Sequence, residues 1–254
     1  MNILCLIKQV PDSLEVHMGS DLTLQRDFVA QVLNHADESA VELALQLRDL
    51  HGGKVTTLTM GPPRAEGTLR ELISRGVDEA ILLTDKAFAG ADTLATARTL
   101  AAAVKALGPF DLLLFGRRAA DGETGQVGPM TAALLGIPCA ANITSAECTG
   151  GILSAYPLIE TGSVHWEMSL PAALTMCEWS YALRLPTMRG LRVARQAQIR
   201  IMSPSDIGVT DPSSIGLKGS PTRVTHISVR PSGVRPTKWI TAEEAAAIAG
   251  EVLS

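Results

Sequence analysis

Over its first half the chain alternates short, almost uninterrupted apolar runs, at residues 3–7, 54–60, 80–84 and 112–115, with longer stretches whose apolar positions recur at helical spacing, at 38–50, 65–74 and 93–107. Continuous apolar strands are what a parallel sheet produces when helices cover both of its faces. The helical stretches are closed by Gly52-Gly53, Gly76 and Gly108, where a helix C-terminus favours a residue free to take positive φ. The pattern predicts an α/β fold with a doubly wound, mostly parallel sheet. In such sheets ligands sit beyond the carboxyl ends of the strands, where strand order reverses. The loops after Ile7, Met60, Thr84 and Phe115 are therefore the candidate walls of a site.

Beyond about residue 140 the rhythm changes. Runs at 152–159 and 164–170 flank Glu160-Thr161-Gly162-Ser163 and predict a β-hairpin, and 171–177 predicts a buried strand returning to the sheet. From Trp179 to about Pro236 the chain is rich in Pro, Ser, Gly and Arg, too long an irregular stretch for a self-contained domain. Thr241 and Glu244 form a capping box that opens a last helix over 245–253. The expected organisation is an α/β domain over 1–190 and an extended C-terminal arm with its helix over 191–254. An arm of that length implies a partner that it embraces.

Composition narrows the function. The 254 residues are 46% hydrophobic and 19% charged with a formal net charge of -4, which suits a sizeable core and argues against disorder, a nucleic-acid footprint or a polybasic membrane surface. Cys5, Cys139, Cys148 and Cys177 are scattered without metal-binding spacing, and His17, His35, His51, His165 and His226 are dispersed, so no metal site is expected. The cysteines read as reduced and buried, which points to the cytoplasm. The apolar N-terminus is too short for a signal peptide and no run approaches a membrane span, so no membrane insertion is expected.

The most informative motif is Gly116-Arg117-Arg118-Ala119-Ala120-Asp121-Gly122-Glu123-Thr124-Gly125-Gln126-Val127-Gly128-Pro129, a glycine-rich loop between an apolar strand and a helical pattern at 130–135. Strand, loop and helix in that order turn backbone N–H groups toward a phosphate. Alone, four glycines are more often turn chemistry than a ligand site. Two further segments open helices: Asn34-His35-Ala36-Asp37, with good capping residues at Asn34 and Asp37, and 87–97, where Asp92 caps and the hydroxyls of Thr93 and Thr96 suit a pyrophosphate. Each alone reads as a plain cap. The dinucleotide fingerprint G-x-G-x-x-G, the phosphate loop of nucleotide triphosphatases, the serine elbow and H-E-x-x-H are all missing, so no catalytic residue is expected and any chemistry belongs to a cofactor.

Taken in order, several blocks resemble the β subunit of electron transfer flavoproteins, the group that includes the FixA proteins. They are Ile7-Lys8-Gln9-Val10-Pro11-Asp12, Leu33-Asn34 through Ala40-Val41-Glu42, Met60-Gly61-Pro62-Pro63, Arg75-Gly76-Val77-Asp78, the Gly116 loop, Leu170-Pro171-Ala172 and Leu185-Pro186-Thr187-Met188-Arg189-Gly190. The resemblance implies an adenine nucleotide alpha hydrolase-like sheet. It also implies a heterodimer whose alpha subunit carries the main electron-transferring FAD, while the β site holds AMP or, in electron-bifurcating members, a second FAD.

Carried over by motif, the nucleotide pocket would use Leu6, Asn34, His35, Ala36, Asp37, Met60, Gly61, Asp92, Thr93, Thr96, Gly116, Arg117, Arg118, Ala119, Asp121, Gly122, Glu123, Thr124, Gly125, Gln126 and Val127. Arg117 and Arg118 are the expected pyrophosphate cations. Leu185, Pro186, Met188 and Arg189 fall where the family meets its partner dehydrogenases, enzymes of the acyl-CoA dehydrogenase type. Asp37, in place of a cysteine of AMP-type members, and the 121–129 loop favour FAD in the β site. NADH would then reduce it, with ferredoxin among the acceptors. A universal-stress-type ATP- or AMP-binding regulator shares the sheet architecture, but the long arm after Trp179 argues against it. Departures from the family fall at His35, around the hairpin at Tyr156 and Glu160-Thr161-Gly162, and at 192–197.

Overall fold

The structure, a computed structural model, describes residues 1–12, 30–225, 239–242, 244 and 245. By internal packing the chain divides into Met1–Arg223 and Val224–Ser254. Within the second unit the expected capping box is present: Glu244 Oε2 accepts the Thr241 N–H at 2.8 Å and Thr241 Oγ1 accepts the Glu244 N–H at 3.3 Å. The body of the helix it was expected to open lies outside the described residues.

The first unit is the α/β sheet that the apolar runs predict. Its strands are β1 (Asn2–Leu6), β4 (Lys54–Met60), β5 (Glu79–Leu83), β6 (Leu112–Gly116), β7 (Cys139–Thr149), β8 (Ile152–Pro157), β9 (Trp166–Ser169), β10 (Ala172–Met176) and β11 (Arg200–Met202), with a separate two-stranded ribbon of β2 (Gln9–Pro11) and β3 (Gln31–Leu33). The order across the large sheet is β11-β5-β4-β1-β6-β10-β7-β8-β9. All pairs from β11 to β7 are parallel, and β7-β8-β9 form an antiparallel end. The chain moves outward from β1 to β4 and β5, then returns to place β6 on β1's other side. Strand order therefore reverses between β1 and β6.

Alternation along the strands divides the core in two. Ile3 and Cys5 of β1 face one layer with Leu43, Leu45 and Leu47 of α1 (His35–His51) and Leu69 and Leu72 of α2 (Glu66–Ser74). Leu4 and Leu6 face the other, with Leu100, Ala103 and Val104 of α3 (Thr93–Leu107) and Ala132 of α4 (Val127–Leu135). The helices end where glycines permit it, Gly136 after α4 taking φ 72°.

Several elements differ from the sequence expectation. The hairpin of β8 and β9 is present, but β8 first pairs with the long β7, through a turn at Gly150 and Gly151 with φ 59° and 83°. β7 escapes the hydrophobic pattern because one of its faces is exposed and carries polar residues. Residues 188–196, within the stretch expected to be irregular, form helix α5 (Met188–Gln196), whose Thr187 hydroxyl accepts the Gly190 N–H at 2.9 Å. Only Ala194 of α5 is buried, and its apolar positions Met188, Leu191 and Ala194 are set among arginines over only nine residues. Gly190 lies so close to the Ser74 carbonyl that a side chain would collide with it. Residues 191–223 belong to the first unit, where β11 extends the parallel sheet beside β5.

The segment before α5 is lashed to α1. Glu42, buried, accepts the Arg184 backbone N–H at 3.0 Å and three guanidinium contacts, while Arg184 also reaches Asp49 at 2.8 Å and its carbonyl accepts from Arg75 at 2.7 Å. Burial works to raise the Glu42 carboxyl, but the Arg184 hydrogen bonds and charge hold it below the ordinary range. A depressed folded-state pKa stabilises above the unfolded value, so this contribution is complete at neutral pH and fades as acid protonates the group. Glu42→Ala is expected to cost about 2 kcal/mol at neutral pH in chemical denaturation, because it strands a half-buried guanidinium. The difference from the parent should shrink below about pH 4, near the unfolded glutamate value. A pH-independent difference would contradict the ion-pair account.

Candidate functional site

The reversal point puts the carboxyl ends of β1 and β6 side by side, with Leu6 opposite Phe115. The first residues of α1 sit against both strand ends and pin them. Asp37, buried, accepts the Lys8 N–H on Oδ2 at 2.6 Å and the Gly116 N–H on Oδ1 at 2.9 Å. Asn34 stands at the N-cap of α1 but makes no side-chain cap. Its amide serves the loop instead, donating to the Arg118 carbonyl at 2.9 Å and accepting the Ala120 N–H at 3.1 Å. Lys8 Nζ then reaches Asp121 at 2.6 Å. The glycine-rich loop is thus tied at Gly116, Arg118, Ala120 and Asp121 before it reaches its open rim.

Past those ties the Ala119 carbonyl accepts the N–H groups of Gly122 and Glu123, and Glu123 and Gly125 take φ 49° and 64°. Gly122, Glu123, Thr124, Gly125 and Gln126 are all exposed. Val127 begins α4, whose N-cap residue Gln126 makes no side-chain cap. Its amide oxygen accepts instead from the Thr93 hydroxyl at 3.1 Å, which joins the N-termini of α3 and α4. Gly128 packs so tightly on Thr175 and Phe115 that a Cβ would clash.

Sequence-expected residues therefore divide by position. Leu6 and Ala36 are buried in the layer beneath the loop, and Met60 and Gly61, partly buried, end β4. Asp92 caps α3 through the Ala95 N–H at 2.9 Å and also accepts the Thr222 N–H and hydroxyl at 3.0 and 2.8 Å, so its carboxylate ties the 220–222 segment to the helix. Thr96, half-buried, lies one turn in, its N–H on the Asp92 carbonyl. His35 is exposed and tilts against Trp179, ring centroids 5.9 Å apart. Leu185, Met188 and Arg189 are exposed, with Pro186 half-buried, on the segment anchored by Arg184.

Arg117 and Arg118 share one carboxylate, Glu178, at the end of β10. Arg118 Nε donates to Oε1 at 3.1 Å, and Arg117 Nε lies 2.6 Å from Oε2. The Arg117 contact is an ion pair without a hydrogen bond, and Nε, sealed from solvent, has no hydrogen-bond partner. Burial opposes the charge on Glu178, but its own backbone N–H, the Arg118 hydrogen bond and both guanidinium charges hold its carboxyl below the ordinary range. Lys8 and Glu178 were not among the expected site residues. Lys8 sits in the family-like block 7–12 directly after a strand, whereas nothing in the sequence around Glu178 relates it to the arginines sixty positions earlier.

Two concavities lie elsewhere. One is lined by Asn2, Lys54, Glu79, Phe110 and Arg200 at the amino-terminal ends of the strands, opposite to where a doubly wound sheet binds ligands. The other lies beside Trp179, Tyr181 and Arg75. Among the described residues no cluster of histidine, cysteine and carboxylate could hold a metal ion.

The electron transfer flavoprotein domain profile matches residues 21–206. The chain is 42% identical over 229 residues to the electron transfer flavoprotein subunit beta of Thermoanaerobacterium thermosaccharolyticum, covering 90% of this chain and 88% of that one. It is 40% identical over 240 residues to the protein FixA of Bradyrhizobium diazoefficiens, covering 91% and 83%. To the acryloyl-CoA reductase electron transfer subunit gamma of Anaerotignum propionicum it is 41% identical over 178 residues, covering 69% and 67%.

Two outcomes follow from the pins. Gly116→Ala places a methyl in the Asp37 carboxylate and against Ala36, and is expected to cost about 2 kcal/mol in chemical denaturation; a neutral effect would show that the two are not in contact. Burial is the largest influence on Asp37 and pushes its carboxyl up to about 7, against the Lys8 and Gly116 N–H groups and the Asn34 amide. A folded-state pKa above the unfolded value means that stability falls as pH rises from the unfolded pKa to the folded one. Between about pH 5 and pH 8 the parent should lose about 2 kcal/mol more than Asp37→Asn, and parallel profiles would contradict the shift.

Proposed function

This chain belongs to the electron transfer flavoprotein family, on its beta-subunit and FixA branch, and on that premise we propose that it works as half of a heterodimer. Its partner is an electron transfer flavoprotein alpha subunit, and the pair relays electrons between an acyl-CoA dehydrogenase-type flavoenzyme and a second redox protein. The 185–189 segment, held by Arg184 on α1, presents Leu185 and Met188 to solvent and is our choice for the dehydrogenase contact. The second unit, with its capped helix start, is our choice for the element that packs on the alpha subunit.

The observation that carries the reading is the pinned loop at the reversal point. Buried Asn34 and Asp37 hold it by three hydrogen bonds and hold Lys8 at the neighbouring strand end by a fourth, leaving Gly122 to Gln126 exposed at the rim, an arrangement that serves a ligand at the loop better than the core beneath it. The residues present fit an adenylate. α4 begins with N–H groups that no side chain caps, Gly122 and Gly125 allow close approach, and Arg117 Nε is a sealed donor without an acceptor. The 124–127 backbone, the Thr93 hydroxyl and the two arginines would hold the phosphates, while Asn34, Asp37 and Lys8 position the loop from behind.

We assign FAD to this site with AMP as the alternative, and the main electron-transferring FAD to the alpha subunit. Support for FAD comes from Asp37 and the 121–129 loop, which resemble the bifurcating members. A further relative is named as an electron transfer subunit of acryloyl-CoA reductase. A bound flavin would supply the redox chemistry, the hydride and single-electron transfer that no side chain of this protein provides. This chain's own residues bind and orient it and set the charge around it. Ferredoxin is the proposed low-potential acceptor. Four free cysteines, three of them buried, accord with the cytoplasm, and among the described residues no helix is long and apolar enough to cross a membrane.

The test is to co-express the chain with its alpha-type partner, denature the purified pair and identify the released nucleotides by chromatography. Two FAD per heterodimer is the expected result. One FAD with one AMP would remove the bifurcation reading and leave the carrier reading intact. A colourless monomer that binds ATP would contradict both.

A further inference from the structure

The ends of β6 and β10 bring three charged side chains together. Gly116 pairs with Met176 and the Arg117 N–H donates to the Met176 carbonyl at 2.8 Å, so Arg117 and Glu178 leave adjacent strands at the same level. The Glu178 side chain is only 15% exposed and lies between both guanidinium groups, at 2.6 Å from Arg117 and 3.1 Å from Arg118. Arg118 has a second carboxylate, Glu123, at 3.6 Å on the rim. Two arginines and two glutamates leave this part of the shelf with no net charge. An incoming phosphate therefore meets arginines whose charge is already balanced by carboxylates of this chain.

Two oxygens held between two guanidinium groups is also how arginines hold a phosphate. The carboxylate fills that place imperfectly. Its two oxygens are confined to one plane, and the Arg117 Nε–H is left with no acceptor although an oxygen is near. A tetrahedral phosphate presents oxygens in more directions and can meet both guanidinium groups at once. We propose that Glu178 is a built-in competitor: it occupies the anion position between Arg117 and Arg118 in the nucleotide-free chain, yields it to a phosphate of the bound nucleotide, and so limits how tightly that nucleotide is held. This rests on the nucleotide reading of the loop given above. Glu178 is a positioning residue, acting through the arginines, and no bond is made or broken.

The test uses the heterodimer with its alpha partner, freed of nucleotide at this site and titrated with AMP by calorimetry at two salt concentrations. Glu178→Gln, which removes the charge and keeps the shape, is expected to bind AMP about tenfold more tightly at low salt, with the gain shrinking as salt rises. Equal or weaker binding would overturn the inference, and a purely structural Glu178 would weaken it. Should the variant fail to assemble, the arginine Nε–H resonances of the parent answer the same question: both must move when AMP is added, and unmoved signals would overturn the exchange. Binding of AMP at equal affinity by parent and variant defeats only the competitor. No binding by either defeats the nucleotide reading and this inference together.

Discussion

A buried carboxylate that accepts backbone N–H groups from two neighbouring strand ends is the constraint on which the rest of this site depends. Parallel strands end with N–H and C=O groups that the sheet no longer pairs. At the point where strand order reverses, Asp37 satisfies one such N–H from the end of β1 and one from the end of β6. That arrangement requires Gly116, since any side chain there would occupy the carboxylate's place. It also explains why Asn34 leaves its helix uncapped: its amide is directed across to Arg118 and Ala120. Helix α1 is thereby a fixture for the loop as much as a layer of the core.

The same fixture accounts for the electrostatics. Cations near the loop each face a carboxylate of this chain, Lys8 with Asp121 and the two arginines with Glu178 and Glu123. A shelf with balanced charge and an open rim binds an anion through oriented backbone groups more than through net positive potential. Such a site is half-walled by its own chain, which suits a subunit whose work is completed by a second polypeptide. The anchor at Glu42 and Arg184 holds the 185–189 segment to the same helix, so the glycine-rich loop and the proposed docking segment share one rigid support.

The sheet was legible because its parallel strands are continuous apolar runs and the helices between them are closed by glycines, and the loop was legible because strand, glycines and helix follow in order. β7, β11 and α5 were not. β7 is exposed on one face, β11 has three residues with one buried, and the apolar positions of α5 are interleaved with arginines over only nine residues, so none carries a long periodic apolar signal. Asn34 and Asp37 were visible as capping residues, but their action across to the β6 loop was not, because it depends on strand order rather than on local sequence. Glu178 was invisible for the same reason: its relation to Arg117 and Arg118 exists only once β10 lies beside β6.

The central claim is that the loop is already built when no nucleotide is present. Amide hydrogen exchange on the nucleotide-free heterodimer tests it most directly. The account predicts that the Lys8, Gly116 and Ala120 N–H groups are protected to a degree approaching that of the β1 and β6 strand amides, and that Asn34→Ala removes the protection at Ala120 alone. Exchange at Gly116 and Ala120 as fast as in the exposed rim at Thr124 would contradict it.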